Sequence, residues 1–460
     1  MPFGRVATGI PGLDKILGGG LPAASINLVS GVPGGGKTVL AQQVVYSAAA
    51  PDRPALYFST VAEPYEKIIV HVQSFGFFRR DYPGRVIHYR DLGRALATGG
   101  VEAALAVIRE EVSKYLPGFV VIDSFRAIEG LSSSDREMAV FLYELSGTLS
   151  ALDCVTFLLD ESPIDKLLTS RASAVADGIV NIDYEPSGRS GRRSLQILKL
   201  RGSAFLPGSH LFVIDGAGAV VYPRLGSITP APVGATDGCC ATGIAGLDEH
   251  LSGGVLRGTT TLVSGPVGSG KTVFALSFLL QGAAAGEPGV FASFQESPLR
   301  LKQVGSNFGW DPETLEANRL LVMFHTPPLD VEVDRFGHLL LEAVDSVGAR
   351  RVVLDAVSDL STQAIPEDDY QAFLYTISQL LQGRGVTTVM TTTTLGPYGA
   401  VAPRKVSGER LADFALHLEL LSPDNGSRRV LRVLKSRGLS ASVRALPFTI
   451  EEGSGFVVGS

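Results

Sequence analysis

Two stretches of this chain have the residue types and spacing of a phosphate-binding loop. Gly31-Val32-Pro33-Gly34-Gly35-Gly36-Lys37-Thr38 and Gly265-Pro266-Val267-Gly268-Ser269-Gly270-Lys271-Thr272 both read GxxxxGK followed by Thr. Each follows an apolar strand-like run, Ile26–Ser30 or Thr259–Ser264, and opens a helical one, Val39–Ala49 or Val273–Ala285. Gly34, Gly35 and Gly36, like Gly268, Ser269 and Gly270, let backbone N–H groups turn toward a phosphate. The positive ends of the helices entered at Val39 and Val273 add to that cradle. Lys37 and Lys271 are placed to reach β- and γ-phosphates, and Thr38 and Thr272 to ligate Mg²⁺. Asp123 and Asp355 end apolar strands about 85 residues beyond the loops, where a carboxylate holds Mg²⁺, usually through a water. The chemistry implied is binding of ATP with Mg²⁺, twice.

The elements that must position these groups also come twice. Gly9-Ile10-Pro11-Gly12-Leu13-Asp14 recurs as Gly243-Ile244-Ala245-Gly246-Leu247-Asp248, and the P-loops recur at the same offset of 234. Val120-Val121-Ile122-Asp123 recurs as Val352-Val353-Leu354-Asp355, and Lys199-Leu200-Arg201-Gly202 as Lys435-Ser436-Arg437-Gly438. This is the duplication of a whole domain. Residues 1–222 form the first copy and 241–460 the second, with a Pro- and Gly-interrupted linker over 223–240. In the first copy strands are predicted at Ile26–Ser30, Ala55–Ser59, Phe119–Ile122 and Val155–Leu159. Helices are predicted after Lys37, at Val101–Tyr115 and at Asp135–Ala151. Such alternation predicts an α/β fold: two tandem RecA-like P-loop NTPase domains, each a mostly parallel central sheet flanked by helices. The later pieces Ile179–Tyr184, Ser194–Leu200 and Leu211–Ile214 predict an antiparallel edge.

Composition narrows the setting. Hydrophobic residues at 45% and charged residues at 19% describe a globular chain with ample core. Lys+Arg 40 against Asp+Glu 46 gives −6, so no global positive field points to nucleic acid. Cys154, Cys239 and Cys240 have no metal-ligand spacing and fit a reducing compartment. No apolar run approaches the roughly 18–20 residues of a membrane span, and Met1-Pro2-Phe3-Gly4-Arg5 lacks a signal-peptide core. A cytoplasmic protein without membrane contact is expected.

On the opening Gly-Ile-x-Gly-Leu-Asp, the glycine clusters Gly18-Gly19-Gly20 and Gly253-Gly254, both P-loops, both Asp-ended strands and both Lys-x-Arg-Gly segments, the chain resembles the KaiC family. These are the circadian-clock ATPases and their non-clock relatives in the RecA superfamily. The resemblance spans essentially the whole chain and implies a homo-hexameric double ring with nucleotide at subunit boundaries. It further implies that Lys199 and Arg201, and Lys435 and Arg437, reach phosphates held by a neighbouring subunit. The family places a water-polarising glutamate after the strand next to the P-loop helix. Here Ser59-Thr60-Val61-Ala62-Glu63-Pro64 offers Ala62 at the first such position, and Ser293-Phe294-Gln295-Glu296-Ser297-Pro298 offers Gln295, with Glu63 and Glu296 remaining. An alanine cannot accept a proton and an amide is a poor base, so slow hydrolysis is expected. The phosphoacceptor pair of the clock proteins is replaced by Glu409 and Arg410, with Ser407 out of register, and the regulator-binding tail of the clock proteins is expected to be missing. A regulatory or signalling ATPase without the clock's serine/threonine autophosphorylation is expected, its protein partner unknown.

Two other classes compete. A RecA-type DNA-dependent ATPase needs pore-facing loops, for which Ser124–Glu137 and Thr394–Arg410 are the candidates, the latter with Tyr398, Arg404, Lys405 and Arg410. A non-enzymatic switch would bind ATP with little turnover, as Ala62 and Gln295 suggest.

Overall fold

The computed structural model describes residues 4–60, 65–187, 190–232, 238–328, 331–361, 367–394, 410–421, 428–437 and 445–459. Contacts divide the chain into two compact units, Met1–Ser227 and Ile228–Ser460. Ordered structure reaches into both ends of the stretch between the copies: Leu225 is buried in the first unit, and Cys239–Cys240 pairs with Val255–Leu256 in the second.

The first unit's sheet consists of β1 (Ile26–Gly31), β2 (Ala55–Ser59), β3 (Ile87–Asp91), β4 (Phe119–Asp123), β5 (Val155–Asp160), β6 (Gly178–Ser187), β7 (Ser190–Leu200), β8 (Ser209–Asp215) and β9 (Gly218–Tyr222). Its order is β9-β8-β7-β6-β1-β5-β4-β2-β3. Strands β2 to β6 on either side of β1 are parallel to it through the sheet, and the run from β6 to β9 is antiparallel. The predicted antiparallel edge therefore begins one strand later than its first piece, because β6 joins β1 in parallel before β7 reverses. β1, β2 and β5 are buried along their whole length, as strands covered on both faces must be. Helix α1 (Lys37–Ala48) packs on one face and α2 (Gly93–Tyr115) and α3 (Asp135–Ser150) on the other. Leu28 and Val29, adjacent on β1, accordingly enter different apolar clusters. Each such side chain contributes about 1.5–3 kcal/mol when fully buried. α2 starts before the predicted Val101 but is interrupted at Gly100 (φ 66°, ψ −155°).

The second unit repeats this plan with β10 (Thr260–Gly265), β11 (Gly289–Ser293), β12 (Leu321–His325), β13 (Arg351–Asp355), β14 (Thr387–Thr393), β15 (Phe414–Leu421), β16 (Arg428–Ser436), β17 (Ala445–Glu451) and β18 (Gly455–Val458). Its order, β12-β11-β13-β14-β10-β15-β16-β17-β18, puts β10 in the place of β1. The opening Gly-Ile-x-Gly-Leu-Asp motif is a clasp onto the last strand. Gly12 (φ 80°) and Gly246 (φ 79°) lie so close to that strand that an added Cβ would stand 1.8 Å from Val221 O or 2.4 Å from Val458 O. Asp14 and Asp248 brace the turn by accepting hydrogen bonds from Thr8 N (2.9 Å) and Thr242 N (2.8 Å).

Candidate functional site

Both phosphate loops sit where β1 turns into α1 and β10 into α4 (Lys271–Ala284). Gly36 (φ 110°) and Gly270 (φ 100°) admit that turn; a Cβ there would meet Ile214 Cδ1 at 2.4 Å or Ile450 Cδ1 at 2.8 Å. Lys37 Nζ donates to Gly31 O (2.8 Å) and Val32 O (3.1 Å), and Lys271 Nζ to Gly265 O (2.9 Å) and Pro266 O (2.9 Å). Burial lowers the pKa of both lysines, against the pull of nearby carboxylates.

Thr38 Oγ1 donates to Asp123 Oδ2 at 2.9 Å, and Thr272 Oγ1 to Asp355 Oδ2 at 2.8 Å. Chain folding thus joins the two predicted metal-holding groups in each copy. Burial raises the pKa of each aspartate, and its hydroxyl donors oppose the rise. Among the described residues no group of three or more His, Cys, Asp or Glu forms a metal cluster. One carboxylate and one hydroxyl completed by substrate phosphates is the manner in which Mg²⁺ is commonly held. The Ser269 hydroxyl is buried in the second loop without a hydrogen-bond partner, which fits a site built to receive anionic oxygens. Gly34, Gly35 and Val39, with Gly268 and Val273, belong to the same two loop-to-helix turns.

Four participants were not foreseen. The Tyr57 hydroxyl donates to Asp123 Oδ2 at 2.5 Å, and Thr391 donates to Asp355 Oδ1. Register makes these two different solutions to one need. Phe291 occupies the place of Tyr57, and Leu159 that of Thr391. The aspartate is therefore held from the β2 side in the first copy and from the β14 side in the second. Glu161 Oε1 lies 3.9 Å from Lys37 Nζ, whereas the second copy continues β14 with Thr393. Finally, Asp359 lies on the short turn after β13 and acts electrostatically on Lys271. Burial raises the Asp359 pKa.

The catalytic candidates are placed unevenly. Ala62 and Glu63 lie outside the described residues. Glu296 is half-buried, donates from its N–H to Ser293 Oγ (3.0 Å) and pairs with Arg300 (2.9 Å). Ser59 lies opposite Asp123 as Ser293 does opposite Asp355. Counted from those strand ends, Val61 and Ala62 stand in register with Gln295 and Glu296, so Ala62 matches Glu296 and Val61 matches Gln295. Glu409 and Ser407 lie outside the described residues, as does most of Thr394–Arg410. Ser124–Glu137 is not an open loop, because Phe125–Leu131 is a helix with Phe125 and Ile128 buried.

The Lys-x-Arg strands are not at their own phosphate loops. Lys199 lies opposite Ile179, which lies opposite Leu28, so it sits level with the middle of β1 rather than its P-loop end. Three residues along the strands and two strands across put the backbones about 14 Å apart. Lys199 Nζ donates to Ser173 O (2.9 Å), and Arg201 to Ala174 O (3.1 Å) and Asp177 (3.4 Å). Lys435 and Arg437 repeat this placement, against Arg410 O (3.5 Å) and Asp413 (3.6 Å). Burial lowers the Lys199 pKa, and Arg201 adds to the effect.

Residues 6–226 and 240–460 each match the KaiC ATPase family model. The circadian clock oscillator protein KaiC of Picosynechococcus sp. is 26% identical over 469 residues, covering 99% of this chain and 90% of that protein. Circadian clock oscillator protein KaiC 1 of Synechocystis sp. is 26% identical over 447 residues, covering 94% and 85%. The Synechococcus elongatus protein of the same description as the first is 24% identical over 447 residues, again covering 94% and 85%. The chain belongs to the KaiC ATPase family.

Proposed function

We propose that this KaiC-family chain is a slow, Mg²⁺-dependent ATPase of the cytoplasm. It works as a hexameric double ring in a regulatory or signalling role toward a protein partner, without clock-type autophosphorylation. The observation that carries the reading is the duplicated constellation of P-loop lysine, threonine and strand-ending aspartate, with threonine and aspartate already hydrogen-bonded in each copy. Mg²⁺ at the Thr–Asp pairs supplies charge neutralisation for the phosphates when bound. Lys37 and Lys271 bind β- and γ-oxygens, exchanging loop carbonyls for phosphate. Thr38 with Asp123, and Thr272 with Asp355, would hold that metal. Gln295 and Glu296 face the attacking water in the second site. Lys199, Arg201, Lys435 and Arg437, too distant from their own loops, serve a neighbour's phosphates, where a cation stabilises the loose transition state. The two units, joined through residues 223–240, differ at the water. Val61 and Ala62 offer none of the polarity of Gln295 and Glu296. The second site therefore turns over faster than the first, unless Glu63 substitutes.

Steady-state ATPase of Glu63→Gln against Glu296→Gln, with intact mass after incubation with ATP, tests this. The larger loss is expected from Glu296→Gln, with no added mass. A larger loss from Glu63→Gln, or a gain of one phosphate, would overturn it. The apolar Val61 and Ala62 also favour a second reading, in which the ring is a switch with little turnover. Single-turnover hydrolysis on the purified chain separates the two.

A further inference from the structure

Each strand-ending aspartate meets one hydroxyl from its phosphate loop and one from a neighbouring strand, but the two copies spread these donors differently. In the first, the Thr38 hydroxyl (2.9 Å) and the Tyr57 hydroxyl (2.5 Å) both donate to Asp123 Oδ2. In the second, Thr272 donates to Asp355 Oδ2 at 2.8 Å, and Thr391 donates to the other oxygen, Oδ1. The cause is the strand that supplies the hydroxyl. Tyr57 stands on β2 where the second copy has Phe291, and Thr391 stands on β14 where the first has Leu159. All four side chains are fully buried, so neither copy can take up the other's arrangement by turning a side chain into solvent. Tyr57 is further confined by the Tyr89 ring, whose centroid lies 5.3 Å from its own.

An ionised carboxylate has about four lone-pair sites, two on each oxygen. On Asp123 both sites of the oxygen that meets the loop threonine are taken by hydroxyls, whereas on Asp355 that oxygen keeps one site. A hydrogen bond to an ionised oxygen is short and strong, and it draws negative charge out of that oxygen. Beside its loop threonine, Asp123 therefore offers less charge and no spare acceptor, and Asp355 offers both. The difference matters most to a divalent cation such as Mg²⁺, which dehydrates reluctantly and keeps waters that need acceptors.

We propose that Tyr57 is a positioning residue that weakens the first site's hold on a divalent cation relative to the second, by occupying the Asp123 oxygen that meets Thr38. The inference rests on the proposed reading in which Thr38 with Asp123, and Thr272 with Asp355, hold Mg²⁺. As free Mg²⁺ falls, the first site gives up its metal before the second.

The test uses the full chain with one loop disabled at a time: Lys271→Ala leaves the first site and Lys37→Ala the second. Each is saturated with ADP, which does not turn over, and titrated with Mn²⁺ while the free ion is read by paramagnetic resonance. Bound ADP counted at saturating Mn²⁺ checks that the site is folded. The first site should bind Mn²⁺ about 10-fold more weakly than the second, the low end of the range over which groups around a metal ligand change metal affinity. Tyr57→Phe should tighten Mn²⁺ in the first site, because Thr38 still holds Oδ2 and a lone pair is released. Adding Leu159→Thr, which puts a donor on the other oxygen, should close the gap to the second site. The reciprocal pair, Phe291→Tyr with Thr391→Val, should weaken the second site by a similar factor. Equal affinities in the two unaltered sites, weaker Mn²⁺ binding in Tyr57→Phe at unchanged ADP stoichiometry, or no effect of the reciprocal pair would overturn the role of Tyr57 and leave the ATPase reading intact. No uptake of Mn²⁺ at either site with ADP bound would overturn the metal assignment on which it rests.

Discussion

The exchange of Tyr57 for Thr391 as the holder of the strand-ending aspartate gives a prediction that needs no nucleotide. In the second unit, Thr391→Val replaces the hydroxyl with a methyl of nearly the same shape. Thr391 and Phe291 are fully buried and Asp355 is only 6% exposed, so no solvent replaces the lost donor to Asp355. A hydrogen bond to a charged group contributes about 1.5–3 kcal/mol, and no cavity offsets or adds to it. Stability of the second unit should fall by about 2 kcal/mol. With a urea slope near 3 kcal/mol/M for a unit of this size, the midpoint moves down by about 0.7 M. The single tryptophan, Trp310, packs against the second unit's core, so its fluorescence reports this transition alone. Adding Phe291→Tyr installs the hydroxyl that the first copy uses at Tyr57 and should recover at least about 1 kcal/mol, visible as positive coupling in the double-mutant cycle. A Thr391→Val shift under about 0.2 M, or a double variant no better than the sum of its parts, would refute the idea that the two hydroxyls are equivalent.

Calorimetry with Mg·ATP should find two nucleotides per wild-type chain and one after Lys37→Ala or Lys271→Ala; two in either variant would show that the loops are misassigned. ATP should drive assembly into a ring that Arg201→Ala and Arg437→Ala weaken, because nucleotide bridging two subunits links binding to association. Light scattering that gives a monomer at saturating ATP contradicts that. A thiol reagent should find one fast cysteine in the native chain, Cys239. Cys154 and Cys240 are buried, with burial pushing the Cys154 thiol up to about 12 and raising that of Cys240. Two fast equivalents before unfolding would contradict the burial.

What the residues disclosed in advance is what depends on short stretches of chain. A phosphate loop requires glycine, lysine and threonine within eight residues, and the aspartates that meet the loop threonines stand out by ending strands with no polar interruption. β3 escaped notice because His88-Tyr89-Arg90 carries two polar positions on an edge and offers little apolar run. Tyr57, Thr391, Asp359 and Glu161 were not legible because their partners are set by strand order. Tyr57 meets Asp123 only because β2 neighbours β4 at that register. Nothing in Thr387–Thr393 distinguishes Thr391 from the threonines around it until β14 is laid beside β13.

The duplication serves as an internal comparison, and what it keeps differs from what it changes. Lysine, threonine and aspartate at the phosphates, and the Lys–Arg pair on the far end of the sheet, stand in both copies. On the proposed reading these are the groups that bind nucleotide or reach a neighbour. Where the copies part is at the positions the proposed reading assigns to the water: Val61 and Ala62 against Gln295 and Glu296. Two equal engines would have no reason to differ there. Losing a group that handles the water typically costs about 10²–10⁴-fold in rate while leaving binding alone. On the proposed division, the first site keeps its ligand through many turnovers of the second. A ligand present at about 1,000 times its Kd stabilises the state that binds it by about 4 kcal/mol. If that state is the assembled ring, the first site's silence is what allows the second to cycle without the ring coming apart.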